Sequence, residues 1–284
     1  MTVSVLIAAF NEAPSVADTV TKVRNALATA SIAHEVIVID DGSTDGTGAK
    51  AESAGAIVIV HPVNRGYGRA LKTGMRRAAG RLLAIIDADG SYPAEALPGL
   101  IARTTTFDMV VAARQGAHYR GSRMKWLGRL ALQRMVLFVT GVRVPDVNSG
   151  LRVFQKSIAL HHIDRIGNGF SFTTTLTLAM LLEGHFVDYV PVPYHARVGA
   201  SKVRFRRDVL RTIQILTNAV LAYNPLKLFL LLSYVALGAM LASLVIDWSA
   251  SGAMHAGLIA VIGCGVALLL FGMGLMSEAL RHLR

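Results

Sequence analysis

Carboxylates gather at two points where an apolar run ends, and both arrangements suit work on a phosphorylated substrate. In Asp87-Ala88-Asp89-Gly90 two acids stand two residues apart behind the run Leu82–Asp87. Both can face one cation, and hard ions such as Mg2+ or Mn2+ take oxygen ligands and complete their shell with substrate phosphates. Taken alone, the pair also fits a turn in which carboxylates only cap the next helix. The second cluster, Asp40-Asp41-Gly42-Ser43-Thr44-Asp45, follows the run Glu35–Asp40. Ser43, Thr44 and Asp45 are good N-cap residues and Gly42 suits a turn. That role leaves Asp40 and Asp41 unexplained; at a strand end they can accept hydrogen bonds from a nucleobase N–H or ribose hydroxyls. A third stretch, Asn64-Arg65-Gly66-Tyr67-Gly68-Arg69-Ala70, places glycines and two arginines at a helix start, where a diphosphate fits. It lacks the third glycine of a dinucleotide fingerprint and follows the third strand, not the first.

The elements that must carry these groups alternate. Val3–Phe10, Glu35–Asp40, Ile57–His61, Leu82–Asp87 and Met109–Ala113 read as strands; Ser15–Ala28 and Gly68–Ala79 read as helices. Val- and Ile-rich strands with little alternation are buried on both faces. Spaced by helices, they imply an α/β fold with a doubly wound, mostly parallel sheet, whose ligands bind beyond the carboxyl ends of the strands.

The C-terminal part differs. Leu228–Ile246 and Ala256–Ser277 are 19 and 22 residues without a charge. A bilayer core needs about 20 apolar residues of helix, so two transmembrane helices are expected. The alternative is a pair of buried core helices. Lys227 precedes the first span, Arg281 and Arg284 follow the second, and the connector Asp247–His255 has no Lys or Arg. The positive-inside rule then puts the large domain and the C-terminal tail in the cytoplasm. Met1-Thr-Val-Ser lacks the basic start of a signal peptide, which agrees with that placement. Gly238, Ala242, Gly263, Ala267 and Gly274 offer small surfaces for helix contact, within one chain or in a homo-oligomer.

Basic residues outnumber acidic ones by 29 to 18, a net charge of +11, which predicts an anionic partner. The surplus lies beside the apolar spans. Arg197–Arg211 holds six basic residues and one acid, and Val209, Leu210, Ile213, Leu216 and Val220 recur from its end onward at helical spacing. Met109 to Pro145 holds seven Lys and Arg and no acid, around the helical stretch Tyr119–Thr140. Both stretches read as amphipathic helices at a membrane surface, or as solvated helices on the domain. No nucleic-acid motif accompanies the charge. The single Cys264 excludes an intrachain disulfide or a cysteine-held metal. The histidines, His161-His162 included, show no third ligand at recognisable spacing and read as structural. Three segments result: a cytoplasmic catalytic domain over 1–200, a basic juxtamembrane segment over 201–225, and a two-helix anchor over 226–284.

Together the three motifs resemble the family-2 glycosyltransferases of GT-A fold. Ala9-Phe10-Asn11-Glu12 looks like that family's Pro-x-Tyr-Asn-Glu opening, with Ala8 and Phe10 as departures, and the two acidic clusters match its two signatures. Asp146-Val147-Asn148-Ser149-Gly150-Leu151-Arg152-Val153-Phe154 and Arg197-Val198-Gly199-Ala200-Ser201-Lys202 resemble motifs of the polyprenyl-phosphate branch, the one that includes dolichyl-phosphate mannose synthase-like enzymes. The resemblance covers nearly the whole chain, and some members carry a two-span anchor. It implies transfer of a sugar from a nucleotide diphosphate to a polyprenyl phosphate, within cell-envelope glycan biosynthesis. By the same resemblance Ala9, Asn11, Glu12, Asp40, Asp41, Gly66, Asp87 and Ala88 would bind the donor, with Asp40 at the nucleobase. Asp87 and Asp89 would hold Mg2+ or Mn2+. Arg114, Arg123, Arg129, Ser149, Arg152, Arg197, Ser201 and Lys202 would surround the acceptor phosphate, with Asp89, Arg114, Arg197 and Lys202 as the catalytic set.

Enzymes of this fold that act on hydroxyls need a carboxylate base. The matching region here, Gly169-Phe170-Ser171-Phe172-Thr173-Thr174, has no acid. A phosphate monoester, with a second pKa of about 6, needs none. The expected reaction is therefore a direct displacement with inversion. Asp89-Gly90-Ser91-Tyr92-Pro93 departs from the acid-Leu/Gln-His pattern of mannose-specific members, which favours UDP-sugars over GDP-sugars. A processive polysaccharide synthase would need more spans and a Gln-x-x-Arg-Trp motif. A catalytically silent membrane scaffold that binds nucleotide or anionic lipid would not need the acid pair.

Overall fold

A computed structural model describes residues 2–120, 123–169, 171–198, 214–221, 223–248 and 253–282. The chain divides into two compact units, Met1–Thr212 and Ile213–Arg284.

The first unit is built on one seven-stranded sheet in the order β3-β2-β1-β4-β6-β5-β7. Its strands are β1 (Val3–Ala9), β2 (His34–Asp40), β3 (Ile57–Val60), β4 (Leu82–Ile85), β5 (Met109–Gln115), β6 (Arg152–Gln155) and β7 (Val187–Pro193). β1 pairs in parallel with β2 and β4, β2 with β3, and β5 with β7, while β6 runs antiparallel between β4 and β5. Register sets the site: Ala9 lies opposite Asp40, and Leu6 opposite Ile85. The carboxyl ends of β1, β2 and β4 therefore end on one edge, where the acidic clusters begin.

Side chains alternate across a strand, so each buried strand feeds two cores. Val3, Val5 and Ile7 join Val36, Val38 and Ala84 on the face covered by α1 (Val16–Thr29). Leu6, Ile37, Ile39 and Ile85 face the other way, toward Leu71 and Met75 of α3 (Tyr67–Arg77) and Phe172, Leu176 and Met180 of α8 (Phe172–Leu182). The remaining helices are α2 (Thr47–Ser53), α4 (Leu97–Arg103), α5 (Ala117–Arg120), α6 (Arg123–Thr140) and α7 (Lys156–His161).

Two strands escape the sequence patterns. β6 is four residues long and opens with an arginine, and β7 (VDYVPVP) carries two prolines. Proline removes a ladder donor and is tolerated at a sheet edge, which is where β7 lies. β3, at the opposite edge, leaves Ile57 45% and Val60 65% exposed, so burial on both faces does not extend to it.

The second unit holds α9 (214–221), on which Leu216 and Val220 are buried. Val209, Leu210 and Ile213 of the expected amphipathic stretch lie outside the described residues. Two long helices follow, α10 (Pro225–Trp248) and α11 (Ala253–His282). Pro225–Val245 and Gly257–Leu280 are long and apolar enough to cross a membrane, and almost none of either is buried, unlike a core helix. The two helices pack on each other. A Cβ at Gly263 would stand 2.4 Å from Met240 Cγ, and one at Gly274 2.8 Å from Phe229 Cβ, so these glycines permit close approach. The Ser233 hydroxyl donates to the Ala267 carbonyl at 3.0 Å. Gly238 meets nothing within 4 Å and takes no part.

Candidate active site

Asp87 and Asp89 stand in the loop that leaves β4. Asp89 is buried; its Oδ1 accepts from the Ser91 amide at 3.0 Å and the Ser91 hydroxyl at 2.5 Å, and its Oδ2 pairs with Arg197 Nη2 at 2.8 Å. Ala88 is held through its carbonyl by the Thr19 hydroxyl at 3.1 Å. Asp87 Oδ1 accepts from the Tyr67 hydroxyl at 3.0 Å. A Cβ at Gly150 would stand 2.3 Å from Asp87 Oδ2, so only glycine leaves room for this carboxylate. Burial and the charge of Asp89 push the Asp87 pKa up to about 6, against smaller opposing effects of Tyr67, Arg114 and Arg197. Two carboxylates that resist ionising together form a hard-oxygen donor set that a divalent cation relieves, so the residues fit Mg2+ or Mn2+.

On the β1–β2 side two loops interlock. Asn11, at a φ of 51°, receives the Thr44 amide on Oδ1 at 2.9 Å, while its own amide donates to Ser43 Oγ. The Glu12 amide donates to Thr47 Oγ1 at 2.9 Å, and the Asp41 amide to the Ala9 carbonyl at 2.8 Å. Asp40, buried, accepts the Ser43 amide on Oδ1 at 2.8 Å. Asp41 turns elsewhere. Its carboxylate accepts from His61 Nδ1 at 2.7 Å, from the Arg65 amide at 3.0 Å and from the Gly66 amide at 2.7 Å. It fastens the loop that starts α3, so its geometry is that of a positioning residue and not of a donor contact. Gly66, at a φ of 99°, caps that helix, and the side chains of Arg65 and Arg69 are exposed beside it.

Arg114, the last residue but one of β5, forks with Asp146, through Nε to Oδ2 at 2.7 Å and Nη2 to Oδ1 at 2.9 Å. Its guanidinium lies over the rings of Tyr119 and Tyr194, at 4.9 and 5.4 Å from their centroids. Arg129 lies over Tyr119 from α6, at 4.3 Å. The segment bearing Arg197 folds back onto the acidic loop: the His195 amide donates to the Ser91 carbonyl at 2.9 Å and the Val198 amide to the Asp89 carbonyl at 3.0 Å. Tyr92 packs on Tyr194 at 5.2 Å, and its hydroxyl accepts the Gly150 amide at 2.7 Å. Acid loop, Ser149-Gly150 turn and Arg197 segment are thus one connected structure.

Two expected acceptor contacts belong to the scaffold instead. Arg152 is fully buried. Its Nε and Nη2 donate to the Ser149 carbonyl, Nη1 to the Thr173 carbonyl and Thr177 hydroxyl at 3.1 Å each, and Nη2 also reaches the Val147 carbonyl at 3.4 Å. β6 is a central strand, and its first side chain points into α8, where it ties the Ser149 turn down. Ser149 is fully buried as well, with its hydroxyl 3.2 Å from Tyr92 Oη. The side chain of Arg123, and all of Ser201 and Lys202, lie outside the described residues. Residue patterns did not single out Asp146, Tyr67, Tyr92, Tyr119 or Tyr194 for these roles; Asp146 was visible only as the first letter of its motif.

Glycosyl transferase family 2 matches residues 4–163. Undecaprenyl-phosphate 4-deoxy-4-formamido-L-arabinose transferase of Klebsiella pneumoniae (strain 342) is 29% identical over 297 residues, covering 97% of this chain and 87% of that one. Low-salt glycan biosynthesis hexosyltransferase Agl6 of Haloferax volcanii is 32% identical over 225 residues, 77% of this chain and 54% of its own length. Among solved structures, glucosyl-3-phosphoglycerate synthase from Mycobacterium tuberculosis, in complex with Mn2+, UDP-glucose and phosphoglyceric acid, superposes with a TM-score of 0.63 at 18% identity. It covers 77% of this chain and 79% of the synthase. That likeness shows the GT-A fold. The family match spans more than half of the chain and contains both acidic clusters, so the chain belongs to glycosyl transferase family 2.

Proposed function

We propose that this glycosyltransferase moves a single sugar from a nucleoside diphosphate, UDP in preference to GDP, onto a polyprenyl phosphate at the cytoplasmic face of a membrane, with inversion. The observation that carries it is the joining of the Asp87–Asp89 pair to Arg197, beside an arginine held between two tyrosines. The names of the undecaprenyl-phosphate transferases it resembles support the acceptor.

Asp40 and the interlocked Asn11 and Glu12 loops form the floor for the nucleoside. Asp87 and Asp89 would hold Mg2+ or Mn2+, which would supply charge compensation for the diphosphate. Arg114, oriented by Asp146 and confined by Tyr119 and Tyr194, holds the acceptor phosphate as a charged fork, with Arg129 and Arg197 adding positive field. The phosphate oxygen attacks the anomeric carbon, the bond from that carbon to the diphosphate oxygen breaks, and the nucleoside diphosphate leaves with the electron pair. No proton has to be removed, consistent with the absence of an acid between Ile166 and Leu182. α10 and α11 anchor the chain, and Lys227, Arg281 and Arg284, against a connector without Lys or Arg, orient both ends to the cytoplasm. Trp126 and Leu127, about half exposed on the basic α6, suit contact with headgroups.

The test is transfer of label from a panel of UDP- and GDP-sugars into organic-phase undecaprenyl phosphate, by protein in detergent with Mn2+ or Mg2+. Metal-dependent transfer, abolished in Asp89→Ala and giving the inverted anomer, supports the proposal. Retention, or nucleotide binding with no transfer from any donor, overturns it.

A further inference from the structure

We propose that His161, His162 and Glu183 form a second metal site, for a borderline transition ion of the Zn2+ class, at the end of the domain remote from the acidic pair. One ligand atom from each of the three lies within 4.8 Å of the others. His161 ends α7, His162 is its C-cap, and Glu183 is the C-cap of α8. The sequence gives no hint of the third member, because α8 brings it in from 21 residues beyond His162.

The chemistry favours a transition ion over a hard one: two imidazoles and a carboxylate are the donor set of many zinc centres. His162 supplies the second, independent observation. It is 1% exposed, and neither ring nitrogen has a hydrogen-bond partner among the described residues. Its Nε2 lies 3.1 Å from Glu183 Oε2 as an ion-pair contact without hydrogen-bond geometry. Buried polar groups are ordinarily satisfied, so an imidazole left in this state points to a ligand. The carbonyl ends of α7 and α8 also converge here, and helix C-termini favour cations.

In a tetrahedral zinc site, bonds of about 2.0–2.1 Å set ligand atoms about 3.3 Å apart. His161 and Glu183 are both exposed, so their side chains have room to turn and shorten the 4.8 Å spread toward that value. Arg165 Nη1 contacts Glu183 Oε1 at 3.3 Å, but its side chain is 71% exposed and free to swing out. The ring of His185 stands 6.3 Å from that of His162, and water would complete the fourth position. The ion would fasten the C-terminal end of α8. Thr173, Thr174 and Thr177 at the helix's other end grip Arg152 and Asn148, about 10 Å or more away along the axis. It would act as a support for the active site and take no part in transfer.

The test titrates Zn2+ against a chromophoric chelator into the full chain, freed of any affinity tag, in detergent with saturating Mg2+. One Zn2+ per chain is expected, with a Co2+ visible spectrum of tetrahedral type. Affinity should fall in both His161→Ala and Glu183→Gln by more than the roughly 10–100-fold that loss of an outer-shell partner causes. Both changes lie at solvent-reaching side chains, and circular dichroism verifies folding. Absence of binding, unchanged affinity in either variant, or loss in Asp89→Asn instead, overturns the site.

Discussion

Asp87→Asn separates the cost of holding the acidic pair from its use. In the folded protein, burial and Asp89 raise the Asp87 pKa from 3.8 to about 6. A shift of about two units, at 1.36 kcal/mol each, makes ionised Asp87 destabilising by up to about 3 kcal/mol in metal-free protein. The sign follows from proton binding. Between pH 4 and 6 the folded state holds a proton that the unfolded state has lost, so stability falls as pH rises through that window. Asparagine keeps the shape and an acceptor for the Tyr67 hydroxyl while removing the charge. With EDTA at pH 7.5 the variant should therefore melt higher than wild type, by up to about 10 °C. Wild type should gain stability toward pH 5 and the variant should not; their difference cancels all other titrating groups. Mn2+ should then stabilise wild type alone, and transfer should be lost in the variant. Thermal unfolding across a pH series, with and without metal, reads all of this. An Asp87→Asn protein that is less stable than wild type in EDTA, with the same pH slope, would refute the argument that burial and like charge hold this carboxylate under strain.

Three further outcomes follow from the packing. Arg152→Ala should cost about 2–5 kcal/mol of stability, because it removes both arginine donors to the buried Ser149 carbonyl and leaves a cavity in the core; normal melting with weakened acceptor binding would return Arg152 to the substrate site. Arg114→Lys loses both the fork to Asp146 and the stack on two tyrosines, and kcat/KM should drop by about 100-fold with little change in melting temperature; unchanged kinetics would remove Arg114 from the acceptor site. Gly150→Ala forces a methyl to 2.3 Å from Asp87 Oδ2, so the protein should fold with weakened Mn2+ affinity, measured by calorimetry, and wild-type affinity would show that the turn yields instead.

How much of this was legible in the sequence depended on whether a residue's role was fixed by type and position or by direction. The gathering of Asp40, Asp87 and Asp89 on one edge of the sheet was readable because they stand at or just after the ends of apolar strands, and the parallel register that aligns those ends follows from the α/β alternation. The two long apolar helices were readable from length alone. Arg152 was not. A basic residue in a substrate motif invites assignment to an anion, but its strand runs antiparallel in the middle of the sheet, and the side chain points inward. Nothing local to Arg152 distinguishes that from an outward arginine.

Asp40 and Asp41 make the same point at one remove. Neighbours along an extended chain point to opposite sides. Both cannot face one nucleoside, and that rule was available from the sequence. Which of the two is left open is decided by where the chain after β3 returns, since Asp41 is taken up by His61, Arg65 and Gly66. The pairing of Arg114 with Asp146, 32 residues apart, and of Asp89 with Arg197 likewise depends on loops whose closure no local pattern encodes. An active site of this kind is therefore half written in strand ends, which a sequence displays, and half in the partners that orient its charges, which only the folded sheet brings within reach.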